Sequence, residues 1–223
     1  MKTIIVLCFL AGTFLVSGAP SMNDIERKTD LELLGMLTNG DSSVRCSSLM
    51  VLGLRFNNPY ALVINPVSDQ IPYPKGVALP SGLLETTVSL ANCDSNLMVR
   101  LAAVMALEMF KYRTNTTPML TALLQDPACI IRIRAAQGLT DFAADYHEPI
   151  SDSVVITLIG CLDSTNSPDD IWQAEESLGD LGARAKGSLP FLAKLKHSKS
   201  AQVREYAREA IRKIEKGLTA QKN

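Results

Sequence analysis

Few side chains in this chain are equipped for catalysis. It has two histidines. His147 is followed by Glu148 and His197 by Ser198, so one adjacent histidine–carboxylate pair is available for metal ligation or proton transfer. Zinc and iron sites gather several His, Cys, Asp or Glu ligands, and two histidines 50 residues apart supply too few, so no metal is expected. No Ser–His–Asp order, glycine-rich phosphate loop or Cys-x-x-Cys is present. Asp141, Asp145, Asp169 and Asp170 stand near predicted helix ends, where a carboxylate serves as a cap. The inventory predicts no catalytic residue and no cofactor.

Thiols are the remaining reactive groups. Cys8 lies in an apolar N-terminal run, and Cys46, Cys93, Cys129 and Cys161 follow at spacings that match no metal or redox motif. Four cysteines allow three pairings, and an oxidising compartment permits one or two disulfides. The alternative is four thiols buried as small hydrophobes.

The compartment is read from the first residues. Met1-Lys2 is a short positive start, residues 3–16 are almost wholly apolar, and Val16-Ser17-Gly18 offers small residues for cleavage. This is the layout of a secretory signal peptide, too short to anchor in a bilayer, so residues 1–18 are expected to be removed and the product secreted or periplasmic. Cys8 sits inside the run rather than at the cleavage point, which argues against a bacterial lipid anchor. Loss of Lys2 reduces the 22 basic side chains to 21, against 23 acidic ones, a formal charge of −2. So balanced a surface predicts no nucleic-acid partner. No later run is long and apolar enough for a membrane span.

What must position these residues is an internal repeat. The segments VRCSSLMVLG (44–53), VRLAAVMALE (99–108), IRIRAAQGLT (131–140), DIWQAEESLG (170–179) and VREYAREAIR (203–212) align. All carry an aliphatic ninth residue: Leu52, Leu107, Leu139, Leu178 and Ile211. Four begin with Val or Ile followed by Arg45, Arg100, Arg132 or Arg204, and alanines recur in the middle. The steps between segments are 55, 32, 39 and 33 residues, three of them near the period of helical-hairpin arrays. A first helix is predicted ahead of each segment, over 30–37, 81–91, 117–124, 150–162 and 188–195. Asp41-Ser42 and Asp126-Pro127 mark turns within hairpins, and Thr117-Pro118 and Ser188-Leu189-Pro190 mark helix starts. The β-branched run VVITLIGCL (154–162) is placed on a helix by its position in the repeat.

The V-R-x-x-A-A-x-A-L-G pattern resembles HEAT-like repeats of the phycobilisome-lyase type, over nearly all of residues 19–217. The fourth segment departs from it, with Asp170-Ile171 in place of Val-Arg. The resemblance implies an all-α protein, an α-solenoid of about five hairpins, with a flexible tail over 218–223. Aliphatic residues then form the seam, alanines permit close approach, and Arg45, Arg100, Arg132 and Arg204 form a structural ladder that reaches the inter-helix turns. Related repeats serve in deoxyhypusine hydroxylases, which hold two irons through several His–Glu pairs, and one pair does not rebuild that site. Bilin lyases share the pattern but act inside the cell.

Two irregularities point to function. The long first step contains a proline-rich insertion, residues 57–80, with Pro59, Pro66, Pro72, Pro74 and Pro80; no helix survives that density. An ordered cover over the first repeat or a binding loop is expected there. The third residue of each segment and the residue one turn on are expected to line the inner curve. In the middle of that row an apolar strip of Leu101, Met105, Met109, Ile133 and Trp172 is predicted to bind a partner, with packing as the alternative. The last segment's region, residues 187–223, carries nine Lys or Arg against three Glu, the polar face expected of a terminal repeat. The expected function is a non-catalytic protein- or peptide-binding scaffold outside the cytoplasm. The alternative is a lyase- or oxidoreductase-type enzyme, or a helper that handles a chromophore or cofactor.

Overall fold

The computed structural model describes residues 22–57, 78–111, 114–163 and 166–221. Among these there are eleven α-helices, one 3-10 helix and no strand. Residues 1–18, and the insertion apart from Asn57 and residues 78–80, lie outside the described residues. The chain divides between Arg113 and Thr114 into two compact units.

The first unit contains α1 (Met22–Glu26), α2 (Asp30–Asn39), α3 (Ser42–Phe56), α4 (Leu83–Cys93) and α5 (Leu97–Phe110). Helix α2 pairs with α3, α4 pairs with α5, and α3 packs along α5. The second contains α6 (Thr117–Leu123), α7 (Cys129–Tyr146), α8 (Asp152–Gly160), α9 (Pro168–Asp180), the 3-10 helix Gly182–Ser188, α10 (Leu189–Leu195) and α11 (Ala201–Ala220). There α6 pairs with α7 and α10 with α11, while α9 packs against α7, α8 and α11. The five expected first helices are thus present within two residues of their predicted bounds. Two elements were not anticipated: α1 and the 3-10 helix, both too short to show an apolar period.

Short polar side chains start the helices by accepting the free N–H groups of the first turn. Asp41 Oδ1 accepts from Val44 N at 2.9 Å, Ser167 Oγ from Asp170 N at 3.1 Å, and Ser200 Oγ from Val203 N at 3.3 Å. Thr29 and Glu32 make a reciprocal capping box before α2. The Thr29 backbone N–H and hydroxyl, each 2.8 Å from the Glu32 carboxylate, pull its pKa down to about 2. Helix α6 departs from expectation. It begins at Thr117 itself, and Asn115 Oδ1, rather than the Thr117 side chain, accepts the free N–H.

Close approach explains the small residues. A Cβ on Gly53 of α3 would fall 2.7 Å from Met109 Sδ and 3.5 Å from Ala106 Cα on α5. One on Gly179 of α9 would fall 3.0 Å from Ala210 Cα on α11. Both glycines are the tenth residue of their aligned segments, and Ala106 and Ala210 are both the eighth of theirs. The irregular fourth segment therefore keeps its register. Phe56 and Phe110 close the end of the α3–α5 contact edge to face, 6.3 Å apart.

The four aligned arginines share one kind of contact. Each of the four is the fourth residue of its helix and donates back to a turn carbonyl five or six residues earlier. Arg45 reaches Gly40 O at 2.7 Å, and Arg100 reaches Asp94 O at 3.2 Å. Arg132 reaches Asp126 O at 2.8 Å, and Arg204 reaches Ser198 O at 2.7 Å. Arg45 also joins the two hairpins of its unit, with Nε 2.9 Å from Asp94 Oδ2 and Nη2 3.1 Å from Oδ1. Helix α11 extends past the predicted boundary at 217, so residues 218–220 are helical. Gly217 lies against Ala183 of the 3-10 helix, where an added Cβ would meet Ala183 N at 2.7 Å, and this contact holds the helix end.

The ladder members differ in what they would leave behind. The Asp94 side chain is 7% exposed, so Arg45→Met strands a buried carboxylate and is expected to cost about 2–4 kcal/mol. Arg204→Met frees only turn carbonyls near water and is expected to cost about 1 kcal/mol. Urea denaturation of both variants measures the difference; equal costs would place the contribution in the arginine stems instead.

Candidate functional site

The predicted apolar strip is not a surface. Met105 and Ile133 are wholly buried and Met109 nearly so, while Leu101 and Trp172 are partly exposed. Met109 packs its sulfur on Gly53, as described above. The reason is energetic: a methionine or isoleucine side chain gains about 1.5–3 kcal/mol by full burial. The expectation that third and seventh positions face outward fails for Met105 and Ile133, and for Cys46 and Met50, which are also buried, while Leu101 and Gln137 are partly exposed. It holds for the last two segments, where Trp172, Glu176, Glu205 and Glu209 all reach solvent.

An accessible face remains on α7, α9 and α11 in the second unit. Trp172 of α9 lies against Tyr206 of α11, ring centroids 4.9 Å apart and planes tilted by 32°. The Trp172 indole Nε1 donates to Asp169 Oδ1 at 3.2 Å, one turn earlier, which fixes the ring's orientation. Elsewhere on α9, the buried Ser177 Oγ accepts from Gln137 Nε2 of α7 at 2.9 Å. Arg134 Nη1 holds the other end of that amide, 3.1 Å from Gln137 Oε1. Ser177 passes its own proton to Gln173 O at 2.8 Å. At the far end Lys213 Nζ of α11 meets Asp180 Oδ1 of α9 at 2.8 Å. The face thus presents a partly exposed aromatic pair and a charged end. None of these groups is arranged as nucleophile and base.

Trp172 was legible as a candidate and Tyr206 was missed. Their partnership depends on adjacent helices bringing the third residue of one segment beside the fourth of the next. An aromatic residue in each of two consecutive segments was the available signal. Asp169 was read as a cap, and its carboxylate instead orients the indole.

Other candidates resolve into structural roles. His147 ends α7 in the left-handed conformation, at φ 57°, and its N–H returns to Ala143 O. Among the described residues no three His, Cys, Asp or Glu side chains gather so as to hold a metal ion. An open cleft of about 490 Å³ in the first unit runs between α2 and α4, lined by Leu37, Thr38, Glu85, Thr86, Ser89 and Leu90. The Arg45–Asp94 pair completes its lining. Burial pushes the Cys46 thiol up to about 12, which keeps it protonated and unreactive.

Glu175 is the unforeseen residue. It is fully buried on α9, and neither carboxylate oxygen has a hydrogen-bond partner. In the other segments the same position holds Leu49, Val104, Ala136 and Arg208. Desolvation pushes its pKa from the ordinary 4.5 up to about 8, so the side chain is a neutral acid at neutral pH.

Comparison with solved structures agrees with the all-helical fold. Two crystal structures of engineered proteins from the Northeast Structural Genomics Consortium resemble the chain. One aligns with a TM-score of 0.53 at 22% identity, over 94% of this chain and 88% of that one. The other aligns with a TM-score of 0.53 at 17% identity, over 93% of this chain and 98% of that one. At such identities the likeness concerns the fold alone. No family model and no curated protein matches the chain. No helix among the described residues is long and apolar enough to cross a membrane.

The buried acid makes stability depend on pH. A carboxyl with a raised pKa holds a proton in the folded chain that the unfolded chain has already released. Its folded form is therefore most stable below pH 4.5, weakens as pH rises towards 8, and levels off above that. The range spans on the order of 4 kcal/mol. Glu175→Leu is expected to remove this slope and to stabilise the protein at pH 8, as read by urea melts at pH 5 and pH 8. A slope unchanged in the variant would assign the dependence to other groups.

Proposed function

We propose that the helical hairpins form one α-solenoid that acts as a non-catalytic scaffold, holding an extended peptide or protein segment outside the cytoplasm. The observation that carries this reading is the partly exposed Trp172–Tyr206 pair on neighbouring helices. Paired aromatic rings supply a flat apolar seat at low conformational cost. Asp169 holds the indole in place beforehand, which lowers the entropy lost on binding. The signal-like residues 1–18 support an exported destination. The HEAT-like character of the repeats supports a stacked array whose second helices line one face.

Trp172 is the sole tryptophan, so its fluorescence reports on the site directly. Peptides selected from a displayed random library on the protein (residues 19–223) are expected to shift that emission on binding. Tyr206→Ala is expected to weaken them about tenfold or more, by loss of a buried aromatic contact. Cys93→Ser, in the other unit, is expected to leave binding unchanged. Selected peptides that bind Tyr206→Ala at full strength would contradict the proposal.

A further inference from the structure

Cys129 is the first residue of α7 and Cys161 follows α8 directly, 32 residues later. Both are buried. Cys161 Sγ lies 3.9 Å from the Cys129 carbonyl oxygen, to which its thiol donates. Arg132, one turn into α7, holds the carbonyls of Asp126 and Pro127, and its charge favours the Cys161 thiolate. Asn166 Nδ2 donates to Cys161 O at 3.1 Å and fixes the backbone on the other side. Cys46 lies buried on α3 and Cys93 is exposed at the end of α4, both in the other unit.

We propose that Cys129 and Cys161 form a disulfide that ties the turn before α7 to the turn after α8. The Cys161 sulfur lies against the Cys129 backbone, and the chain is held at both ends, which suits a short covalent bridge. The surrounding groups set an order of reaction. The Cys129 thiol and the Arg132 guanidinium stabilise the Cys161 thiolate and lower its pKa, while Cys129, hydrogen-bonded to that thiolate, is raised. The oxidant is a small-molecule disulfide or the catalytic disulfide of an oxidoreductase. The Cys161 thiolate attacks one of its sulfurs, the oxidant's S–S bond breaks, and a thiolate leaves. Cys129 then gives up its proton and attacks the Cys161 sulfur, and the second thiolate leaves. Two protein thiols are oxidised to one disulfide, the oxidant is reduced to two thiols, and the two protons released by the cysteines end on them. Because both sulfurs are buried, exchange takes place during folding or on local opening of the junction.

The bond closes a loop containing α7 and α8, and its stabilisation comes largely from restricting that loop in the unfolded chain. Cys93→Ser protein, which lacks the exposed thiol, is refolded with oxidised glutathione, alkylated and digested with trypsin without reduction. The expected product is peptide 114–132 joined to peptide 135–184, separated by dithiothreitol. Reduction is expected to lower Tm by about 5–10 °C. Adding Cys161→Ser is expected to abolish both the joined peptide and the Tm difference. Alkylated thiols or separate glutathione adducts at Cys129 and Cys161, a link to Cys46 instead, or equal Tm values for oxidised and reduced protein would overturn the proposal.

Discussion

The structure depends on how the turns inside its hairpins are satisfied. A short turn between two packed helices leaves carbonyl oxygens that belong to neither helix, and burying them unpaired is costly. A guanidinium placed one turn into the second helix reaches back to them, as Arg45, Arg100, Arg132 and Arg204 do. Arginine suits this task because its several donors lie in one fixed plane and its charge persists. With the turn held, the entry of the second helix is set. Its small residues can then meet the next second helix closely, as Gly53 does at Ala106 and Gly179 at Ala210.

The fourth helix pair gives up this device, and the unusual features collect there. Ile171 stands where arginine is expected and is buried. Asn166 supplies a shorter substitute by donating to Cys161 O. The next residue, Trp172, turns towards solvent and Tyr206, and three residues on Glu175 places a carboxyl in the core. A stretch of 3-10 helix, Gly182–Ser188, follows immediately. Together they set α9 apart from the other second helices, with Trp172 partly open to solvent against Tyr206.

Much of this was legible in the residues and part was not. The hairpins could be read because period, caps and prolines agree, as with Asp41 before α3 and Pro118 at the start of α6. The ladder could be read because one residue type recurs at one register. Burial could not be read from register alone: Met105 and Ile133 hold the same kind of position as Glu176 and Trp172, yet neighbouring elements cover them. Periodicity assigns a face to a helix and says nothing about what lies over that face. Tyr206 and Glu175 were missed for the same reason, since one gains its role from a ring on another helix and the other from water that is excluded. The thiol pair belongs with these, because spacing alone left three pairings open.

Amide hydrogen exchange across the chain tests most directly the claim that arginine-held turns support the fold and that α9, entered without one, opens more readily. The first turns of α3, α5, α7 and α11 are expected to exchange only near the free energy of global unfolding. The first turn of α9, residues 168–172, is expected to exchange faster, through local opening. Protection of that turn equal to or greater than that of the arginine-held turns would contradict the account.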